Sequence, residues 1–280
     1  MLRFVLAAAC LLGSHVLTAA AAGSGTALLE IRPNTNWQDR LDLDDAGIAG
    51  DTVARARKLG LFGCRRYCAL LSDVFGKIRA SARSQMPESA APVLELIVTR
   101  LPDDAAWALS DGHVFISEVF IHDAHLNRDS LAFVLAHEVS HALARDQADT
   151  LELARAMVPL GVNASVEDIY ATMDFDLGVL IRMAPLLQDM ENEADRNGLM
   201  LAALAGFDPD AALGYLRHQA RSASRQVVMA THPADAARLA RMESMLPMAR
   251  RIRALNAVSG LRAIRYLPDR RDLPRSGLAP

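Results

Sequence analysis

Residues 134–146, "VLAHEVSHALARD", decide the fold. The stretch has the apolar density of a buried helix, yet it holds His137, Glu138 and His141 within one turn and a half. On an α-helix, positions i and i+4 share a face, so His137 and His141 aim two imidazoles at one point. Glu138 is offset by one residue, within reach of a water held at that point, where a carboxylate works as a general base. Burying such groups without partners is costly. A divalent cation removes that cost, and the apolar helix around it keeps the site dry. Two histidines do not complete a catalytic zinc site, however, because a third protein ligand is needed.

The missing ligand has to come from elsewhere in the chain. A histidine at position 147 would give one known arrangement, but Gln147 stands there and Ala144 stands where that arrangement has glycine. The better source is "DMENEADRNGLMLAALAGFDP", residues 189–209. Glu191 and Asp195 are i and i+4 on a predicted helix. One can take the ion while the other accepts a hydrogen bond from a liganding imidazole. Glu193 points roughly 200° away from Glu191 and is excluded. We assign Glu191 as the ligand and Asp195 as the residue that orients a histidine. A donor set of two imidazoles and a carboxylate favours zinc, one ion per chain.

Working outward, "NRDS" (127–130) supplies N-cap residues for the helix that carries the motif. Helical patterning covers residues 61–86, then 147–158, 166–183, 186–205, 209–224 and 234–248. "VLELIVT" (93–99) and "GHVFISEVFI" (112–121) are β-branched and aromatic runs, with a turn at "SDG" (110–112). The expected class is α+β, mainly helical, with a small sheet beside the active-site helix. The segment "HVFIS", His113, Val114, Phe115, Ile116 and Ser117, reads either as an edge strand that pairs with an extended substrate or as an ordinary core strand.

The chain has 280 residues, 51% hydrophobic and 22% charged, with a formal net charge of −3. That suits one sizeable core and gives no electrostatic support for nucleic-acid binding. The first residues, "MLRFVLAAACLLGSHVLTAAAAG", carry Arg3, an apolar run and then small residues. Residues 1–22 read as an export signal, with the periplasm as the expected destination. A retained anchor is the rival reading, weakened by Gly13, Ser14 and His15. The expected divisions are an extension over 23–61, a peptidase domain over 62–250 and a tail over 251–280. Cys64 and Cys68 in "CRRYC" are either a disulfide or two half-buried thiols. His122 and His125 read as a polar loop before a helix rather than a metal pair, and the 11 methionines as core filler.

HExxH, then Glu191-Asn-Glu-Ala-Asp195 before a Gly-Phe-Asp-Pro turn, then Thr231-His232-Pro233 with Arg238 six residues after the histidine, together resemble the HtpX/CAAX-prenyl-protease type of zinc metallopeptidase. The resemblance is closest to its soluble, exported, BepA-like branch, without a repeat domain, and covers about residues 62–250. It implies a gluzincin-like fold, His137, His141 and Glu191 on zinc, and Glu138 as base. It also implies that His232 stabilises the oxyanion or closes on the metal, and that Arg238 holds the ligand carboxylates or the His232 loop. Two departures stand out. Ala106-Trp107-Ala108 replaces the family's Asn-Ala-Phe, and Arg145-Asp146 stands where Arg-His is usual.

The function expected is zinc-dependent endopeptidase activity on unfolded or extended polypeptides, in protein quality control of the cell envelope and with envelope proteins as partners. The alternative expectation is a zinc-holding chaperone or adaptor that does not hydrolyse. Oligomeric state has no signature in this sequence.

Overall fold

The protein is described here from a computed structural model, over residues 35–85, 93–102, 105–157, 169, 176–222 and 236–259. In chain order the elements are α1 (Thr35–Lys58), α2 (Cys68–Gln85), β1 (Glu95–Thr99), β2 (Ala106–Ala108), β3 (His113–Ser117) and α3 (Glu118–Asp123). They continue with α4 (Arg128–Ala144), α5 (Asp146–Met157), α6 (Leu177–Leu204), α7 (Asp210–Ser222) and α8 (Ala236–Ser259). The expected signal at 1–22 and the tail beyond Ser259 lie outside the described residues, as does His232.

Helix α4 is the central rod. It starts at a capping box in which the Asn127 side chain accepts from the Asp129 and Ser130 amides and the Ser130 hydroxyl accepts from the Asn127 amide. Leu131 to Ser140 are all buried, and a helix apolar on every side belongs inside a core. One face packs Leu131, Leu135 and Val139 with Leu71, Phe75 and Ile78 of α2, Val114 and Ile116 of β3, and Leu201 of α6. Phe133 reaches a second cluster built by α6, α7 and α8, among them Leu199, Leu216 and Met242.

The sheet has the order β1-β3-β2, with β1 parallel and β2 antiparallel to β3. Its two faces follow the strand alternation. Val114 and Ile116 point to the α4 cluster. Phe115 points the other way, stacks on Trp107 at 3.9 Å and joins Ile97, Leu109 and Ala49 of α1. The expected N-terminal extension is thus, from Thr35 onward, a helix that closes the outer side of the sheet.

Several sequence-based boundaries move. The run 112–121 does not stay extended: the Ser117 hydroxyl accepts from the Val119 amide and caps α3. The expected break near residue 185 is absent, because α6 runs through Pro185. Proline disturbs the carbonyl four residues back, here Ile181, and both residues lie on the exposed side of the helix. α8, expected to end at residue 248, continues to Ser259. β3 is the central strand, so the reading of residues 113–117 as an edge is corrected. Its Val114–Ile116 segment is paired by β1 on one side and β2 on the other, which uses up the backbone groups a substrate would need.

Helix α2 begins at Cys68, so the predicted start at residue 61 is early by several residues. The loop before it carries Cys64, which is joined to Cys68 by a disulfide with Cα atoms 5.5 Å apart. That loop wraps the carboxylate of buried Glu118, whose Oε1 accepts from the amides of Arg65, Arg66 and Tyr67 at 3.0, 2.6 and 2.9 Å. Burial works against the charge, but the three amides outweigh it and hold the carboxyl below its ordinary range.

Leu135 is fully buried where α4 meets both α2 and the sheet. Leu135→Ala is expected to lower unfolding free energy by about 2–5 kcal/mol, read from the denaturant midpoint.

Candidate metal centre

Helices α4 and α6 bring the motif and the downstream carboxylates together. His137 and His141 lie on one face of α4, with ring centroids 4.7 Å apart and planes at 84°. Glu191 enters from α6. Its Oε2 is 3.5 Å from His137 Nε2 and its Oε1 is 3.4 Å from His141 Nε2. One donor atom from each of these three residues falls within 4.8 Å of the other two. Glu193 is not in the group and lies 3.9 Å from Arg196.

Each imidazole has a carboxylate behind it. Asp195 Oδ1 lies 3.1 Å from His137 Nδ1, and Asp146 Oδ2 lies 2.7 Å from His141 Nδ1. A carboxylate at Nδ1 draws the ring proton to that nitrogen. Both Nε2 lone pairs then face inward, 3.1 Å apart, beside the Glu191 carboxylate. Electron-rich atoms converging in this way need a positive centre among them, so the residues present fit a divalent cation.

The same geometry favours protons in its absence. Burial disfavours the imidazolium of His137, but hydrogen bonding to Asp195 and Glu191 overrides this and raises its pKa. For His141 the balance is the same and larger: burial opposes charge, while Asp146 and Glu191 lift it well above the usual histidine value. Asp195 shows the reverse. Burial would raise its pKa, yet His137 and Arg238 hold it down.

Arg238 comes from the first turn of α8 and is buried. Its Nε and Nη2 donate to the two Asp195 oxygens, each at 2.6 Å. Of the roles the resemblance implied, the structure places Arg238 on the carboxylate behind His137. The pair also ties α8 to α6 through a bidentate, charge-assisted contact.

Glu138 is buried on the same helix as the two histidines. Tyr215 of α7 lies close enough to feel it. Burial pushes the Tyr215 hydroxyl up to about 12, against the Gln219 hydrogen bond and the Arg238 charge, with Glu138 and Asp195 adding to the rise. Among the described residues, the other histidines lie apart from this group. His113 pairs with Asp111 at 2.7 Å, His122 is exposed beside Arg66 and Tyr67, and His125 meets His218 edge-on.

Three participants escaped the sequence reading. Tyr215 had no signal beyond a helical position. Asp146 was registered only as a departure from a pattern. Gly198 did carry a signal, because it follows Glu191 at i+7 and Asp195 at i+3 on the same helical face. A Cβ built there would lie 2.8 Å from both the Cα and the backbone nitrogen of His137. The missing side chain lets α6 approach α4 closely enough for Glu191 to meet the imidazoles.

Residues 72–246 match the family described as Peptidase family M48. The chain is similar to the mitochondrial metalloendopeptidase OMA1 of Schizosaccharomyces pombe, with 34% identity over 160 residues, 55% of this chain and 47% of that protein. It is 35% identical over 156 residues to its Saccharomyces cerevisiae counterpart, covering 52% and 45% of the two chains. It is also 32% identical over 162 residues to the beta-barrel assembly-enhancing protease of Escherichia coli, covering 51% and 33%. The chain therefore spans less than half the length of these relatives.

Two outcomes are expected. Gly198→Ala forces α6 away from His137 and should cost about 1–3 kcal/mol of stability, with a matching loss of zinc uptake measured by metal analysis. Protons and metal compete for the same Nε2 lone pairs, and the histidine pKa values are raised. Apparent zinc affinity should therefore keep rising with pH above the ordinary imidazole value of 6.5, measured by chelator competition across pH. In the metal-free protein the sign is opposite. The two protonated histidines stabilise the fold below the unfolded-state pKa, and that contribution is lost as pH rises through the raised values.

Proposed function

The chain belongs to peptidase family M48, and from that premise we propose that it is a zinc-dependent endopeptidase acting on unfolded or extended polypeptides. One observation carries this reading: His137, His141 and Glu191 converge from two helices, while Glu138 sits on the same helix as the histidines. His137, His141 and Glu191 would hold the ion through His Nε2 and carboxylate oxygen. When bound, zinc supplies Lewis acidity to a water and to the scissile carbonyl.

The rest of the chemistry belongs to the chain. Glu138 takes the proton from the attacking water and passes it to the departing amine. Its burial keeps competing water away from that transfer. Asp195 and Asp146 hold the two imidazoles by their Nδ1 atoms, and Arg238 keeps Asp195 ionised and in place. His232, four positions before the first residue of α8, is proposed to stabilise the negative oxygen as the carbonyl is attacked.

A substrate strand has to pair with a free edge, and β3 is not one. β2 is an edge of the sheet among the described residues and packs against α4. We assign the pairing role to Ala106–Ala108, the stretch in which this chain departs from the family's Asn-Ala-Phe. An extended peptide is the form that such an edge accepts, which is why unfolded polypeptides are the proposed substrates.

The proposed setting is the cell envelope, with export directed by residues 1–22 and the domain over 62–250 as the catalytic unit. The Cys64–Cys68 disulfide supports an oxidising compartment such as the periplasm. Among the described residues, no helix is long and apolar enough to cross a membrane. Envelope proteins that have lost their fold are the proposed clients, in a quality-control role.

Glu138→Gln is the direct test. It should keep zinc and fold but lower turnover of an unfolded casein-type substrate by about 10²–10⁴-fold. A chelator should abolish wild-type cleavage, and added zinc should restore it. Equal cleavage by wild type and Glu138→Gln would reject the assignment of the base.

A further inference from the structure

Asp146 reaches His141 by a route that an ordinary helix does not offer. The two residues are five apart, and on a continuous α-helix that spacing puts them roughly 140° around the axis from each other. The chain breaks the helix between them. Arg145 ends α4 in the left-handed region, with φ of 60° and ψ of 35°. α5 then starts at Asp146, whose carboxylate turns back to His141 Nδ1 at 2.7 Å.

That turn is locked from three sides. The Ser110 hydroxyl of the β2–β3 turn accepts from the Ala148 amide at 3.0 Å. The Thr150 hydroxyl donates to the Asp146 carbonyl at 2.7 Å and approaches Met190 Sδ at 3.5 Å. Ala148, Leu151 and Ala154 pack against Val179, Met183, Leu187 and Met190 of α6, next to Glu191. Asp146 itself is buried. A non-glycine residue with positive φ, followed by a buried carboxylate on a candidate ligand, is more than a helix boundary requires.

We infer that the left-handed turn at Arg145 and the carboxylate it delivers, Asp146, form a positioning device for His141 that tightens zinc binding at the centre. Asp146 does for His141 what Asp195 does for His137, from a different element. Asp195 lies on the ligand helix and is held by Arg238. Asp146 is brought round by the backbone. It fixes the ring with Nε2 inward and adds a negative charge behind it, which strengthens that nitrogen as a donor. The inference rests on the zinc-site reading above. It concerns the position where this chain has Arg-Asp in place of the family's Arg-His.

A purely structural role is the competing explanation, since an acidic residue in the first turn of α5 also stabilises that helix. Zinc affinity, set by competition with a chromophoric chelator, separates the two when read beside the melting temperature of the metal-free protein. Asp146→Ala should weaken zinc binding about 10–100-fold. Asp146→Asn keeps the size and loses the charge, so it serves if the alanine variant does not fold, and should still weaken binding at least about threefold. Arg145→Val, whose branched side chain resists positive φ, should weaken binding as Asp146→Ala does. Asp111→Asn removes a carboxylate from His113 outside the centre and should leave affinity unchanged.

Wild-type affinity in the Asp146 variants and in Arg145→Val, with wild type binding one zinc, would overturn this inference alone. So would a loss confined to the melting temperature, or an equal loss of affinity in Asp111→Asn. A wild-type chain that takes up no zinc would overturn both this inference and the proposed function.

Discussion

The centre depends on how closely α6 can lie against α4. At Gly198 the two backbones come so near that a single added carbon would collide with the backbone of His137. That approach sets the height at which Glu191 and Asp195 meet the imidazoles. It also explains why α4 is apolar on every side. A helix that must be touched closely by α2, the sheet, α6 and α7 has no face left for water. The only polar groups it buries near its middle are the ones that the centre uses, together with Ser140, whose hydroxyl bonds back to the Ala136 carbonyl.

Around that contact the charges are arranged in layers. Innermost are two Nε2 atoms and the Glu191 carboxylate. Behind them stand Asp195 and Asp146, and behind Asp195 stands Arg238. Each layer stabilises the one inside it: the guanidinium favours an ionised Asp195, and the two carboxylates place the ring protons on the outer nitrogens. With so little solvent to screen it, such an arrangement favours a cation at its centre. Glu138 and Tyr215 belong to the same buried electrostatic neighbourhood.

The elements farther out serve placement. The sheet lies between α4 and α1, with Phe115 and Trp107 filling the outer side. The disulfide loop before α2 holds the start of α3 through the Glu118 carboxylate, and so fixes the chain that leads into the α4 cap. The β2–β3 turn lends Ser110 to the first turn of α5. Loops that look unrelated in sequence thus position the second histidine and the helix that carries it.

HExxH, the apolar run around it, the Asn127 cap and the Glu191/Asp195 pair were legible in the sequence, because each is a relation between residues a few positions apart on one helix. The mainly helical class and the small sheet followed from periodicity in the same way. Strand order was not legible: alternation marks residues 113–117 as a strand but says nothing of how many neighbours it has, and β3 proved to be central. The helix also ran through Pro185, because proline is tolerated where its side of the helix meets solvent, and only packing decides which side that is. Asp146 shows the limit most clearly. Its distance from His141 in sequence argues against contact on a helix, and a single residue at positive φ reverses the outcome. Local spacing therefore determined which side chains this chain offers to a metal. Long-range packing decided which of them meet, since backbone approach, strand pairing and one left-handed turn depend on atoms far apart in the sequence.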